Sequence, residues 1–104
     1  MAKSKYRLRV KPTFLSDLDN VLLHIAEISG STDTAMRFFD KINAEIANRL
    51  DFAEAFERFY PYEGSPCYYR IYIGSYTIFY IVSEGVMEVR RLLYSGADYA
   101  SHLE

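Results

Sequence analysis

The chain lacks tryptophan, contains a single cysteine, Cys67, and has no long run of apolar residues. One cysteine excludes an internal disulfide framework and a cysteine-rich metal site, and it suits a reducing compartment. The sequence shows no secretory signal, and its apolar runs are shorter than the about 18 residues that a membrane span requires. P-loop, GxGxxG and HExxH motifs and metal-ligand clusters are also absent, so we expect no cofactor and no bound metal. Together these absences predict a soluble cytoplasmic protein.

Length and composition are those of one globular domain, residues 1–104, with half of the residues hydrophobic and a quarter charged. The net charge of −2 hides an asymmetry, because residues 1–11 carry five basic residues and no acidic one. The remainder of the chain carries 14 acidic residues, twice its number of basic ones. A basic segment on an acidic body can bind phosphates or an acidic protein, and the overall acidity argues against broad nucleic-acid binding.

Alternation predicts an N-terminal strand, and helical spacing predicts a helix after it. The five basic residues occupy the odd positions from 3 to 11, which is the pattern of a half-buried strand with a cationic outer face. Pro12 ends this strand, and a helix is predicted to begin near Thr13, whose hydroxyl can cap exposed amides. The apolar face of this helix is predicted to comprise Leu15, Leu18, Leu22 and Ile25.

A second helix is predicted after Ser31 or Thr32, either of which can cap it. Two amphipathic helices joined by a few polar residues are expected to pack as a hairpin. Residues 51–67 are predicted to be irregular. The buried stripe of the second helix is predicted to comprise Ala35, Phe38, Phe39, Ile42, Ile46 and Leu50.

Three strands are predicted in the second half of the chain, at residues 68–73, 76–82 and 86–94. Gly74-Ser75 fits a two-residue type II′ turn, and residues 83–85 fit a three-residue loop with a bulge. The predicted fold class is therefore α+β, in the order β-α-α-β-β-β. A helical hairpin is expected to pack on a largely antiparallel twisted sheet.

The middle strand of these three is apolar on both faces, which is typical of a central strand covered on both sides. The helical hairpin covers one face, and the sequence does not show what covers the other, so a bound partner is an alternative. Arg90 and Arg91 follow each other in the last strand, and simple alternation puts them on opposite faces. One of them then points into the buried layer and needs a partner or a ligand.

Three segments carry a resemblance to a known family: "LSDLDNVLLHIAE", "AMRFFDKINAEIANRL" and "YYRIYIGSYTIFYIVSEGVMEVRRLLYSGAD". In their order, spacing and length the chain resembles the RelE/ParE superfamily of toxins from bacterial type II toxin–antitoxin modules, and it is closer to the ParE branch. This resemblance implies one of two activities. RelE-type members cleave messenger RNA in the ribosomal A site, whereas ParE-type members inhibit DNA gyrase and have no accepted catalytic residues.

RNA cleavage needs an acid, a base and cations that stabilise the developing charge. RelE-like ribonucleases place basic residues on the middle strand and just after the last strand, where this sequence has Thr77 and Ala97. Tyr69 and Ile71 stand where that branch favours lysines, and Tyr94 stands where many relatives have histidine. Since threonine and alanine cannot carry positive charge, these positions argue against an enzyme.

The resemblance predicts a toxin of a plasmid-stabilisation (addiction) module that inhibits DNA gyrase and forms a hetero-oligomer with its cognate antitoxin. The alternatives are a ribosome-dependent messenger-RNA endonuclease and a degenerate toxin that only binds its antitoxin. Arg70, Arg91, Tyr94 and Tyr99 are the predicted functional surface. If the chain were a ribonuclease, Arg70, Arg91 and Tyr94 would be the catalytic candidates.

Overall fold

A computed structural model describes residues 5–104, so Lys3 of the basic segment lies outside the described residues. The predicted α+β class and the β-α-α-β-β-β order are confirmed, and a short C-terminal helix that the sequence did not predict follows them. The elements are β1 (Arg7–Val10), α1 (Pro12–Ser29), α2 (Thr32–Arg49), β2 (Tyr68–Ile73), β3 (Tyr76–Ser83), β4 (Val86–Tyr94) and α3 (Tyr99–Leu103), with a 3₁₀ turn at Leu50–Phe52.

The four strands form one sheet in the order β1-β4-β3-β2. Strand β1 runs parallel to β4, while the β2–β3 and β3–β4 pairs are antiparallel, as expected for a largely antiparallel sheet. The helical hairpin α1–α2 packs on one face, because the crossover from β1 must pass over the sheet before β2 begins. Within residues 5–104, no helix is both long and apolar enough to cross a bilayer.

The start of α1 differs from the prediction. Lys11 is the N-cap, and Pro12 is the first helical residue. This position suits proline, because its φ is fixed near the helical value and the first helical amide needs no partner within the helix. The hydroxyl of Thr13 caps nothing; it donates to the backbone carbonyl of Arg90 at 3.0 Å. Leu18 is buried as predicted, but Leu15 is 51% exposed and Phe14 takes its place in the core. The helix is thus rotated about its axis relative to the prediction. Its earlier start does not cause this rotation, which is set by the packing of α1 against β4.

The predictions for α2 are confirmed. The Ser31 hydroxyl accepts a hydrogen bond from the Thr34 amide at 3.3 Å and so caps the helix. Ala35, Ile42 and Ile46 are buried, and the other three residues of the predicted stripe are half-buried. Together with α1 this stripe covers the first core, whose sheet residues include Tyr69, Ile71, Ile73, Ile78, Tyr80, Met87, Val89 and Leu92.

The two hairpin turns are both short. Gly74 has a positive φ of 55°, as the predicted two-residue turn requires. The second loop also has two residues rather than the predicted three, because Ser83 pairs directly with Val86. Glu84 and Gly85 both have positive φ, 50° and 76°, which is the signature of a type I′ turn.

The bulge lies inside β4 rather than at the turn. Phe79 pairs with Arg91 and Tyr80 pairs with Val89, so Arg90 is an extra residue without a direct partner. Val89 and Leu92 therefore both pack in the first core although they are three positions apart. The prediction that Arg90 and Arg91 point to opposite faces is wrong, because the bulge interrupts the alternation and leaves both off the first core.

Residues of this chain cover the second face of the sheet. The sequence left this cover unidentified, and the structure corrects that point. A second core forms there under residues 59–62 and α3. It contains the buried side chains of Tyr68, Phe79, Leu93 and Leu103, with Phe59, Tyr62, Ile81 and Tyr99 packed against them.

Candidate functional site

Arg70 lies on the edge strand β2 and is fully engaged within the molecule. Its guanidinium forms an ion pair with Glu57 and stacks over the ring of Phe59, 4.1 Å from the ring centroid. Its backbone carbonyl accepts a hydrogen bond from Arg49 at 3.1 Å. These contacts tie the irregular segment after α2 to the sheet, which gives Arg70 a clear structural role.

Arg91 is held by the carboxylate of Asp17 on α1. Nε and Nη2 of Arg91 donate to the two carboxylate oxygens at 2.7 and 2.9 Å, and the Leu92 amide donates to the same carboxylate at 3.0 Å. Strand β1 ends at Val10, opposite Val89, so Asp17 supplies the acceptor that a neighbouring strand would otherwise give to β4. The hydrogen bonds that Arg91 donates to the Asp17 carboxylate raise the pKa of Arg91, which stays a cation.

The two tyrosines of the predicted surface differ in their burial. Tyr94 at the end of β4 is 60% exposed, and its ring meets Tyr76 edge-on at 6.0 Å between centroids. Tyr99 packs in the second core, 4.7 Å from the centroid of Phe79, and its hydroxyl donates to the carbonyl of Ser95 at 2.8 Å. Tyr99 therefore anchors α3, whereas Tyr94 is available for contact.

The four predicted residues do not form one site. Arg91 and Tyr94 line the same open groove of about 330 Å³, but Arg70 lies on the edge strand β2, and Tyr99, the first residue of α3, packs against the second core. We call this groove the β4-end groove; its walls also include Asp17, Asn20, Val21, Tyr76, Leu92, Leu93, Ala97 and His102. Sequence reasoning missed Asp17 and His102 here, since only the tertiary fold brings α1 and α3 to the end of β4.

A second feature that the sequence did not predict is the pocket beside the bulge. It has a volume of about 280 Å³ and is lined by Lys11, Tyr68, Arg90 and Arg91, together with parts of α1 and α3. Arg90 donates to Glu88 at 2.7 Å and to the Tyr68 hydroxyl at 3.3 Å. The hydrogen bond from Arg90 lowers the pKa of Glu88, and this effect outweighs the opposing effect of burial. No sequence signal marks the bulge that creates this arrangement.

Thr77 and Ala97, which the resemblance places at the positions of the ribonuclease cations, have no ionisable side chain. Thr77 is fully buried, and its hydroxyl lies 3.0 Å from that of Ser95. Ala97 is half-buried and has no polar side-chain atom. Tyr69 and Ile71 are buried in the first core, where burial raises the pKa of Tyr69 and keeps its phenol protonated. Within residues 5–104, no three His, Cys, Asp or Glu side chains converge as metal ligands.

A family model for the ParE toxin of the type II toxin–antitoxin system, parDE, matches residues 8–99. The chain belongs to the ParE toxin family. Its fold is similar to a solved structure titled "Chromosomal ParDE TA system from P. aeruginosa", with a TM-score of 0.72. The match covers 86% of this chain and 96% of that chain at 14% sequence identity, so it shows a shared fold. No match was found among curated proteins. This ParE-family chain is therefore a toxin of the type II class.

Proposed function

We propose that this ParE-family toxin inhibits DNA gyrase by protein contact and that a cognate antitoxin neutralises it in a hetero-oligomer. One observation favours gyrase inhibition over RNA cleavage: a buried threonine, Thr77, and an alanine, Ala97, stand where ribonuclease relatives carry cations. Loss of one charge-stabilising donor typically costs about 10²–10³ in rate, and here two positions lack one. A plasmid-stabilisation module in the cytoplasm is the setting that we propose for this activity.

The proposed contact surface is the β4-end groove, with Tyr94 as its centre. Tyrosine is enriched at the energetically important positions of protein interfaces, because its ring buries a large area at a small entropic cost. Arg91 adds a cation at the wall of the groove, but its side chain is only 25% exposed and already pairs with Asp17. Arg70 and Tyr99, by contrast, lie outside this groove and make packing contacts elsewhere in the molecule.

A second candidate function is ribosome-dependent RNA cleavage with an altered residue set. The observation in its favour is that His102, Tyr94 and Arg91 line one groove, since histidine and tyrosine can transfer protons and arginine can bind phosphate. The weakness of this candidate is that Asp17 already neutralises Arg91 at 2.7 Å.

The deciding experiment compares two assays on one preparation of toxin freed of antitoxin. We expect inhibition of gyrase supercoiling and no A-site cleavage of messenger RNA on translating ribosomes. Tyr94→Ala should weaken the inhibition by roughly tenfold or more, the order of loss found at interface hot spots. Tyr72→Ala is the matched control, because Tyr72 is 64% exposed on β2 at the opposite edge and should leave inhibition unchanged.

Codon-specific cleavage with supercoiling unaffected would overturn the proposal and make Arg91, Tyr94 and His102 the catalytic candidates. Loss of both activities in a folded protein that still binds its antitoxin would identify a degenerate toxin. Arg91→Ala is less informative than Tyr94→Ala, because it leaves the partly buried Asp17 carboxylate without its cation and should also lower the melting temperature.

A further inference from the structure

The two edges of the sheet differ in how their outward backbone groups are satisfied. At the β2 edge, Phe59 and Tyr68 exchange two backbone hydrogen bonds of 2.8 Å, and Arg49 donates to the carbonyl of Arg70. The chain thus covers much of this edge itself. At the β1 edge, no further strand pairs with the sheet within residues 5–104.

The backbone of β1 presents donors and acceptors along this edge. The amides of Arg7 and Lys11 donate inward, to the carbonyls of Gly85 and Val89, at 2.8 and 2.9 Å. In a parallel pair, alternate residues point their amide and carbonyl groups to opposite sides of the strand. The corresponding groups of Leu8 and Val10 therefore point outward, and the Leu8 side chain is 46% exposed beside them.

The side chains on β1 have opposite character on its two faces. Arg7 and Arg9 are exposed on one face, where Arg9 meets Glu88 only at 3.4 Å, and Lys5 and Lys11 extend the positive charge along the chain. On the other face Leu8 is accessible and Val10 packs against the first core. An added strand would therefore meet cations on one face and an apolar side chain on the other.

We propose that the outer edge of β1 binds an extended segment of the antitoxin, with acidic residues alternating with apolar ones, as a fifth strand of the sheet. Acidic side chains would lie beside Arg7 and Arg9, and apolar ones beside Leu8. A second copy of this chain fits less well, because two β1 edges would set like charges directly opposite each other. The inference rests on the proposed pairing with an antitoxin.

Amide hydrogen exchange tests this assignment on the complex of this chain with its cognate antitoxin. In the free toxin, the amides of Arg7 and Lys11 should be protected and those of Leu8 and Val10 should exchange quickly. In the complex, the Leu8 and Val10 amides should become protected as well. If the antitoxin only covered the surface and did not pair with β1, exchange would slow without this alternation between neighbouring residues of the strand.

Two variants test the contact by different means. Leu8→Pro removes an outward donor and none of the bonds to β4, so affinity should fall by about tenfold while the melting temperature changes little. Arg7→Glu should weaken binding of the antitoxin, and the effect should be larger at low salt. Lys41→Glu makes the same charge change on the exposed surface of α2 and should leave binding unchanged.

Synthetic octapeptides test the chemistry of the bound segment. A peptide of alternating Glu and Val should shift the Leu8 and Val10 amide resonances at lower concentration than one of alternating Lys and Val. The opposite preference would overturn the charge complementarity on which the assignment stands.

The outcomes separate the two proposals. A stable complex in which the Leu8 and Val10 amides exchange as in the free toxin, with Leu8→Pro binding normally, overturns the edge assignment and leaves the antitoxin pairing intact. Failure to form any complex overturns the pairing itself. Protection of these amides in the toxin alone, with a dimeric mass, assigns the edge to a second copy and also overturns the proposal.

Discussion

Single carboxylates organise the polar contacts of this toxin. Asp17 accepts three hydrogen bonds, two from Arg91 and one from the amide of Leu92, and so joins α1 to the unpaired end of β4. Glu88 accepts from Arg90 and Arg9 on the second face of the sheet. Arg90 and Arg91 thus each have a carboxylate partner. A partly buried guanidinium needs such a partner when no ligand is bound to it.

The pairing of Glu88 predicts a pH dependence of stability. The pKa of Glu88 is lower in the folded state because Arg90 donates to its carboxylate, so the stabilisation is present above the unfolded-state pKa of about 4.3. It is lost as the pH falls through the folded-state value. We expect Glu88→Gln to lower the free energy of unfolding by about 1–3 kcal/mol at pH 7, with the difference from wild type shrinking below about pH 4.

Urea denaturation at a series of pH values measures this difference. Glu27→Gln is the control, because Glu27 is exposed on α1 and its substitution should change stability little at any pH. A difference between wild type and Glu88→Gln that stays constant from pH 7 to pH 3 would contradict the proposed linkage.

At the scale of elements, α3 is held by its environment rather than by its own helical stability. A helix of five residues is far shorter than the about 12 residues at which isolated helices become marginal in water. Leu103 is buried in the second core, and its carbonyl accepts from the Tyr68 hydroxyl at 3.1 Å. Arg91 donates to the carbonyl of His102 at 2.8 Å. Side chains of the sheet therefore hold α3 in place.

Leu103→Ala should release α3 from the sheet. Truncation of a buried leucine costs about 2–5 kcal/mol, and a site in a five-residue helix should fall at the lower limit, which corresponds to a melting temperature lower by about 8–16 °C. Chymotryptic cleavage after Tyr99 should also accelerate. Ser101→Ala, on the exposed side of the same helix, should do neither. Equal melting temperatures for Leu103→Ala and wild type would show that α3 contributes nothing to the second core.

At the scale of the whole molecule, the strand order makes the two halves of the chain interdependent. The strands β1 and β2 occupy the two edges, and β3 and β4 lie between them. A fragment ending at residue 75 would keep the helical hairpin and both edge strands but lose the centre of the sheet. The apolar stripes of α1 and α2 would then have no surface to cover.

We therefore expect the 1–75 fragment to be insoluble or to melt without a cooperative transition. A chain ending at Asp98 is the matched control: it lacks only α3 and should keep a cooperative transition at reduced temperature. Calorimetry and circular dichroism on both fragments test this expectation. A cooperatively folded 1–75 fragment would contradict the single-domain organisation that we propose for residues 1–104.

Several local features could be predicted from the sequence because they depend on near neighbours. The α2 stripe at Ile42 and Ile46, the Ser31 cap and the positive φ of Gly74 follow from helical periodicity, a hydroxyl in reach of exposed amides and turn geometry. The order of the elements followed from the same periodicity and turn signals, and the family resemblance added the expectation of a toxin. Leu15 was predicted wrongly because Phe14, the adjacent residue, takes the core position, and periodicity alone does not set the rotation of a helix.

Residue patterns along the chain were enough to predict the α+β class, the four strands and the two long helices, and the resemblance predicted the toxin family. The positions of the functional candidates relative to one another became known only from the packing of the elements. It separated Arg70 from Arg91, packed the half-buried Tyr99 against the second core and exposed Tyr94, and within residues 5–104 it left the β1 edge of the sheet without a further strand. The bulge at Arg90, the Asp17–Arg91 pair and the contacts of α3 join residues nine or more positions apart, and no local pattern specifies which of these groups will meet.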